Sequence, residues 1–150
     1  MSTDPWVIHF DGSCSGTRVG CAIHVTHPSG EVCYAGGVPL GENGTNNIAE
    51  YMGIITALDF LQEHPEIPTA IVRGDSKLVI EQVSGRWMCR APHLQTFLVQ
   101  AKSQLSDLRR AGRSVTLEWV PREQNSYADE IADMAQVEQT HVLYEKKELL

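Results

Sequence analysis

The chain has 150 residues, 42% of them hydrophobic and 21% charged, with a formal net charge of -7. That length and balance suit one globular domain with its own core, expected to work as a monomer with no obligate protein partner. No apolar run approaches the roughly 18 residues of a spanning helix, and the opening MSTDPWVIHF has neither the basic nor the apolar region of a leader, so no membrane association and a cytoplasmic location are expected.

The cysteines, at 14, 21, 33 and 89, form no C-x-x-C pair and no zinc-ligand spacing. Reduced thiols packed as small hydrophobes are the expectation, with a disulfide between strand neighbours such as Cys21 and Cys33 the lesser alternative. The histidines are scattered, and neither a P-loop nor G-x-S-x-G is present. Charge is uneven: residues 73–122 hold nine basic and four acidic side chains, the rest three basic and fifteen acidic. This is compatible with a basic face for phosphates on an acidic body, and equally with ordinary solvated helix faces.

In chain order, residues 6–10 (WVIHF) read as a first strand ending at the turn signal DGS. Residues 20–27 and 31–38 are two more β-branched runs joined by HPSG, which gives an antiparallel meander. After the loop LGENGTNN, residues 45–61 read as a helix stopped before Pro65 and Pro68, with Thr45, Asn46 or Asn47 as its cap. Residues 69–73 (TAIVR) are a buried fourth strand, 76–83 and 94–108 are helical, 114–120 form a fifth strand, and 127–138 a last helix. The α/β expectation is a mixed five-stranded sheet, its first three strands antiparallel, with helices on both faces. The tail HVLYEKKELL is open to three readings: a short strand, a docked arm or disorder.

Four acids stand at element ends. Asp11 follows the first strand and Asp75 the fourth, each explicable as a turn or cap residue; Asp129 lies at the S-x-x-D spacing of a capping box from Ser126. Glu50 shares a helical stripe with Ile54, Ala57 and Leu61, all within about 60° at 100° per residue. A wet glutamate favoured by the helix dipole would explain it, whereas a buried, unpaired one is costly. Collectively the four say more. A crossover helix makes the fourth strand parallel to the first, which brings Asp11 and Asp75 to one carboxyl edge near the starts of the helices bearing Glu50 and Asp129. Four carboxylates without a balancing lysine repel unless a divalent cation neutralises them, and oxygen-only ligation favours Mg²⁺ or Mn²⁺.

The stretches FDGSC, TNNIAEYMGIITAL, VRGDSKLVI and LEWVPREQNSYADEIADMA occur in an order and spacing that resembles type I ribonuclease H, which cuts the RNA strand of RNA/DNA hybrids. The resemblance spans 1–138 and leaves 139–150 as a tail. It implies that Asp11, Glu50, Asp75 and Asp129 hold two Mg²⁺ ions, with Mn²⁺ as a substitute, and that products carry 5′-phosphate and 3′-hydroxyl. It implies further that Asn46, Asn47 and the main chain around Cys14 contact the hybrid's minor groove, and that Thr45 contacts a DNA phosphate. The chain also departs from the family. The loop VPREQNS lacks the histidine many bacterial members carry, and Arg122 stands in that neighbourhood, as a phosphate or product-release residue or as a surface arginine. The Gly-rich turn after DGSC is reduced to SGTRVG. The basic protrusion is absent, so Arg86, Trp87 and Arg90 would supply part of the DNA-strand grip, a core role for Trp87 being the alternative. Besides this hydrolase, a binding module without activity and a nuclease for another substrate, double-stranded RNA included, are the competing readings.

Overall fold

A computed structural model describes residues 4–148; residues 1–3 and the last two of the tail, 149 and 150, lie outside the described residues. Strands β1 (Trp6–Ser15), β2 (Arg18–Thr26) and β3 (Val32–Gly41) form the expected antiparallel meander. β4 (Thr69–Gly74) lies parallel to β1, and β5 (Ser114–Trp119) lies parallel to β4. The sheet has six strands instead of five, in the order β5-β4-β1-β2-β3-β6, because β6 (Val142–Lys146) pairs antiparallel with β3. Within the tail, Val142–Lys146 is thus a strand. Its VLY run is too short for periodicity to reveal, and the open edge of β3 supplies its hydrogen bonds.

β1 also runs past the expected stop at Phe10. Gly12 is not a turn residue; it pairs with Cys21 in the ladder, and the chain reverses only at Gly16 and Thr17. A Cβ on Gly12 would fall 2.3 Å from the carbonyl carbon of Ala49, so glycine is there to admit a helix against the strand.

That helix is α1 (Asn46–Glu63), capped by Thr45, whose hydroxyl accepts from the Ile48 N–H at 3.2 Å. Ile54, Ala57 and Leu61 are wholly buried, as the stripe requires, and each large apolar side chain so placed contributes roughly 1.5–3 kcal/mol. Beyond the helix, Arg113 donates to three carbonyls, Leu61 at 2.6 Å and His64 and Ile67 at 2.9 Å, and so ties the end of α1 to the chain that follows it. The short α2 (Lys77–Val83) and the long α3 (Pro92–Arg110) complete this side, where Ile8, Phe10, Ile54, Leu58, Ile80 and Leu105 share the main core.

The opposite face carries α4 (Ser126–Glu138) over a smaller core of Ala22, Ala35, Ile131 and Ala132, with Val142 of β6 packed against it. Alternation along β1 assigns the faces: Ile8 and Phe10 enter the main core, while His9 stacks on His24, which meets Tyr127 of α4. All four cysteines are free thiols; Cys21 stands opposite Val38 in the ladder, out of register with Cys33. Among the described residues, no helix is long and apolar enough to cross a membrane.

Candidate active site

β1 and β4 align with His9 beside Arg73, so two further residues along each strand bring Asp11 level with Asp75. The fit is close. A Cβ on Gly74 would collide with the Phe10 ring at 2.4 Å. Glu50, in the second turn of α1, reaches the same edge and accepts the Gly12 N–H at Oε1, 2.6 Å away. Asp11, Glu50 and Asp75 each offer a carboxylate oxygen, all within 4.8 Å of one another. Asp129, from the first turn of α4, lines the same cleft of about 330 Å³, together with Gly12, Asn46, Asn47, Ser76 and Arg122.

Asp11 is only 3% exposed. Burial, then the charges of Glu50 and Asp75, hold its carboxyl well above the ordinary carboxylate range. Burial also raises Glu50, against hydrogen bonds from Asp11 and Gly12 that pull it back. Asp75 is raised by burial too, while a hydrogen bond from Asn125 and the charge of Arg122 oppose the rise. Hard oxygen donors whose carboxyls are raised by burial and by one another, with Arg122 the basic side chain among the described residues lining the cleft, fit a divalent cation. The cluster holds neither thiolate nor imidazole, which argues against a zinc centre.

Of the residues singled out in the sequence, Asp11, Glu50, Asp75, Asp129, Arg122, Asn46 and Asn47 meet in this cleft. Thr45 adjoins it as the cap of α1, and Cys14 lies three residues beyond Asp11 with its thiol turned to the Gly16 carbonyl at 3.1 Å. Arg86, Trp87 and Arg90 stay outside the cleft, in the α2–α3 connection. There Trp87 is 46% exposed, which removes the core alternative, and Arg86 grips Glu81 through Nε and Nη2 at 2.7 and 2.8 Å. Much of the basic stretch is engaged in structure: Arg73 pairs with Glu118, Arg110 with Asp107, and Arg109 and Arg113 bind carbonyls.

The capping box at Ser126 is not formed. Asn125 is the N-cap of α4, and its side chain, 1% exposed, leaves the helix and donates through Nδ2 to the Phe10 carbonyl at 2.9 Å. A second residue missed in the sequence is Trp119, whose Nε1 donates to the Asp75 carbonyl at 3.1 Å, with Lys77 5.7 Å from its ring centre. Ser76 is the third; it lines the cleft and caps α2 by accepting from Val79. The sequence signal for Asn125 was its place just before the last helix, which a Ser at the next position obscured.

Residues 9–135 match the family model described as reverse transcriptase-like. The bifunctional protein Rv2228c of Mycobacterium tuberculosis is 45% identical over 91 residues, 61% of this chain, which spans only 24% of that protein's length. Ribonuclease HI of Halobacterium salinarum is 32% identical over 129 residues, 85% of this chain and 62% of that one. The crystal structure of RNase H1 from Halobacterium salinarum NRC-1 superimposes with a TM-score of 0.80 at 28% identity, covering 91% of this chain and 99% of the other. LC11-RNase H1 in complex with an RNA/DNA hybrid gives a TM-score of 0.77 at 25% identity, covering 89% and 98%. The chain belongs to the reverse transcriptase-like family and is a relative of the type I ribonucleases H.

Proposed function

We propose that the chain is a divalent-metal-dependent endonuclease that hydrolyses the RNA strand of RNA/DNA hybrids, leaving 5′-phosphate and 3′-hydroxyl ends. The observation that carries this reading is the meeting of three carboxylates from three separate elements within 4.8 Å, with Asp129 on the same cleft. The LC11 relative in complex with a hybrid supports the substrate. In this reading Asp11, Glu50, Asp75 and Asp129 would hold two Mg²⁺ ions, or Mn²⁺ in their place. Bound there, the ions would acidify the attacking water and offset charge on the leaving 3′ oxygen.

The chain's own groups account for the rest. Asn46 and Asn47 are exposed at the start of α1 beside Glu50, where their carboxamides can donate and accept at base edges and at the RNA 2′-OH. The Thr45 oxygen already accepts from Ile48, so toward a DNA phosphate it acts as a donor. The main chain at Cys14 extends the same contact surface along β1. Arg122 faces the carboxylates from the 3-10 turn Arg122–Gln124 and presents a guanidinium fork suited to a phosphate oxygen. Trp87 offers a face for stacking and Arg90 a charge for the DNA strand, whereas Arg86 must first release Glu81. The four free thiols suit a reducing cytoplasm. The unit assigned to residues 1–138 gains β6 as an edge strand.

The test is cleavage of an end-labelled hybrid, beside duplex DNA and duplex RNA, in Mg²⁺, Mn²⁺ or EDTA, for wild type and Asp75→Asn. Metal-dependent cutting confined to the hybrid's RNA strand, lost in the variant, is expected. Hybrid binding without cutting in any metal would replace this reading with a binding module.

A further inference from the structure

Three rungs join β1 to α4. At one end Asn125 Nδ2 donates to the Phe10 carbonyl, 2.9 Å away in a buried setting. In the middle Asp11 and Asp129 line one cleft, their side chains within hydrogen-bonding reach of each other. At the far end the Ser13 hydroxyl donates to Asp133 Oδ1 at 2.5 Å. The order of the rungs follows from two periodicities. Asp129 and Asp133 are four residues apart and share one helix face, separated by about 6 Å along the axis. Asp11 and Ser13 are two residues apart and share one strand face, separated by about 6.7 Å. The near match lets both pairs oppose each other at once.

Asp129 is the acid outside the group of three whose oxygens lie within 4.8 Å. Its position depends on how α4 is held. The Ser13–Asp133 bond is hydroxyl to carboxylate, hence charge-assisted, and joins a buried Ser13, 8% exposed, to an exposed Asp133.

We infer that Ser13 and Asp133 are positioning residues for Asp129: their hydrogen bond ties α4 to β1 one turn beyond Asp129 and keeps the fourth carboxylate at the cation site. This rests on the reading of the four acids as a metal site. Asn125 anchors the start of α4 and its apolar face packs on Ala22 and Ala35, while the bond at Asp133 is the polar tie to β1 one turn beyond Asp129.

The experiment compares wild type with Ser13→Ala, Asp133→Ala and Asp133→Asn. It measures Mn²⁺ binding by calorimetry without nucleic acid, kcat and KM on a hybrid, and the thermal midpoint. The two alanine variants should bind the weaker Mn²⁺ about 10-fold less tightly and lose about 10-fold in kcat, with KM for the hybrid unchanged. Asp133→Asn keeps an oxygen that accepts from Ser13, and should recover most of both losses. Alanine variants with wild-type Mn²⁺ binding and a lowered midpoint would overturn the inference, leaving a bond that only stabilises the fold. Asp133→Asn as impaired as Asp133→Ala would overturn it too, since charge and not the bond would then matter. Wild type that binds no Mn²⁺ would overturn the underlying metal-site reading as well, an outcome separate from the other two.

Discussion

The Gly12 N–H donates to Glu50 Oε1 at 2.6 Å, so the residue that follows Asp11 directly fixes the next acid of the cleft. The bond is possible only because α1 rests on bare backbone: a Cβ on Gly12 would stand 2.3 Å from Ala49 and 2.4 Å from the Glu50 nitrogen. Gly12 is therefore both a packing residue and a site residue.

Gly12→Ala should force α1 off β1. The expected cost is about 1–3 kcal/mol of stability from overpacking, with a loss of cleavage larger than the unfolded fraction explains, because Glu50 moves away from Asp11 and Asp75. Urea unfolding beside hybrid cleavage on the same sample checks this. Full activity in a destabilised variant would show that Glu50 does not need the Gly12 contact.

The raised carboxyl of Asp11 predicts how the metal-free protein responds to pH. An acid whose pKa is higher folded than unfolded binds more protons in the fold, so its contribution is complete below the ordinary value near 4 and is lost as pH rises. In EDTA the melting midpoint should fall from pH 5 to pH 8. Asp11→Asn should flatten that fall and gain about 2 kcal/mol at pH 8, roughly 4–8 °C, while abolishing cleavage. An unchanged slope in the variant would remove Asp11 as its source.

The stacked pair His9 and His24, ring centres 4.5 Å apart, predicts the opposite trend in acid. Burial lowers His9 to about 4 and His24 to about 3, so both rings are neutral in the fold and take up protons on unfolding. Their contribution is complete above about 6.5 and is lost as pH falls toward 4. His24→Phe keeps an aromatic ring against His9 and Tyr127 and cannot charge. It should lose less stability than wild type between pH 7 and 4.5, by on the order of 2 kcal/mol, measured by urea unfolding at both pH values.

Arg113 is expected to matter for the fold and not for chemistry. Removing a guanidinium that donates to three carbonyls in and after the last turn of α1 should cost about 1–3 kcal/mol in Arg113→Ala, with kcat unchanged well below the melting temperature. Arg113→Lys should recover little, because one ammonium on a flexible stem does not reproduce the planar fork. Thermal denaturation of the three proteins, with kcat at one low temperature, decides it.

The four acids were legible in the sequence because each stands at a boundary that turn and cap residues mark: Asp11 in FDGS, Asp75 in RGDS, Glu50 just inside a helix announced by TNN, and Asp129 at the opening of a helix with clear periodicity. Local signals also gave the meander and the parallel placement of the fourth strand, since crossover topology leaves few choices. The same signals misled where one residue type serves two purposes. Glycine at position 12 reads as a turn, yet it is a strand residue made small for a helix, and only the packed neighbour distinguishes the two.

Chain order and polar patterning thus determined by themselves which acids could meet. The tertiary structure alone decided what holds them: Asn125 reaching Phe10, Trp119 reaching the Asp75 carbonyl, Ser13 reaching Asp133, and the tail becoming a sixth strand on β3. The physical reason is the range of the interactions. Caps, turns and helical stripes are set within a few residues, whereas these contacts join residues 44 to 120 positions apart, or depend on a strand edge left open by the rest of the sheet.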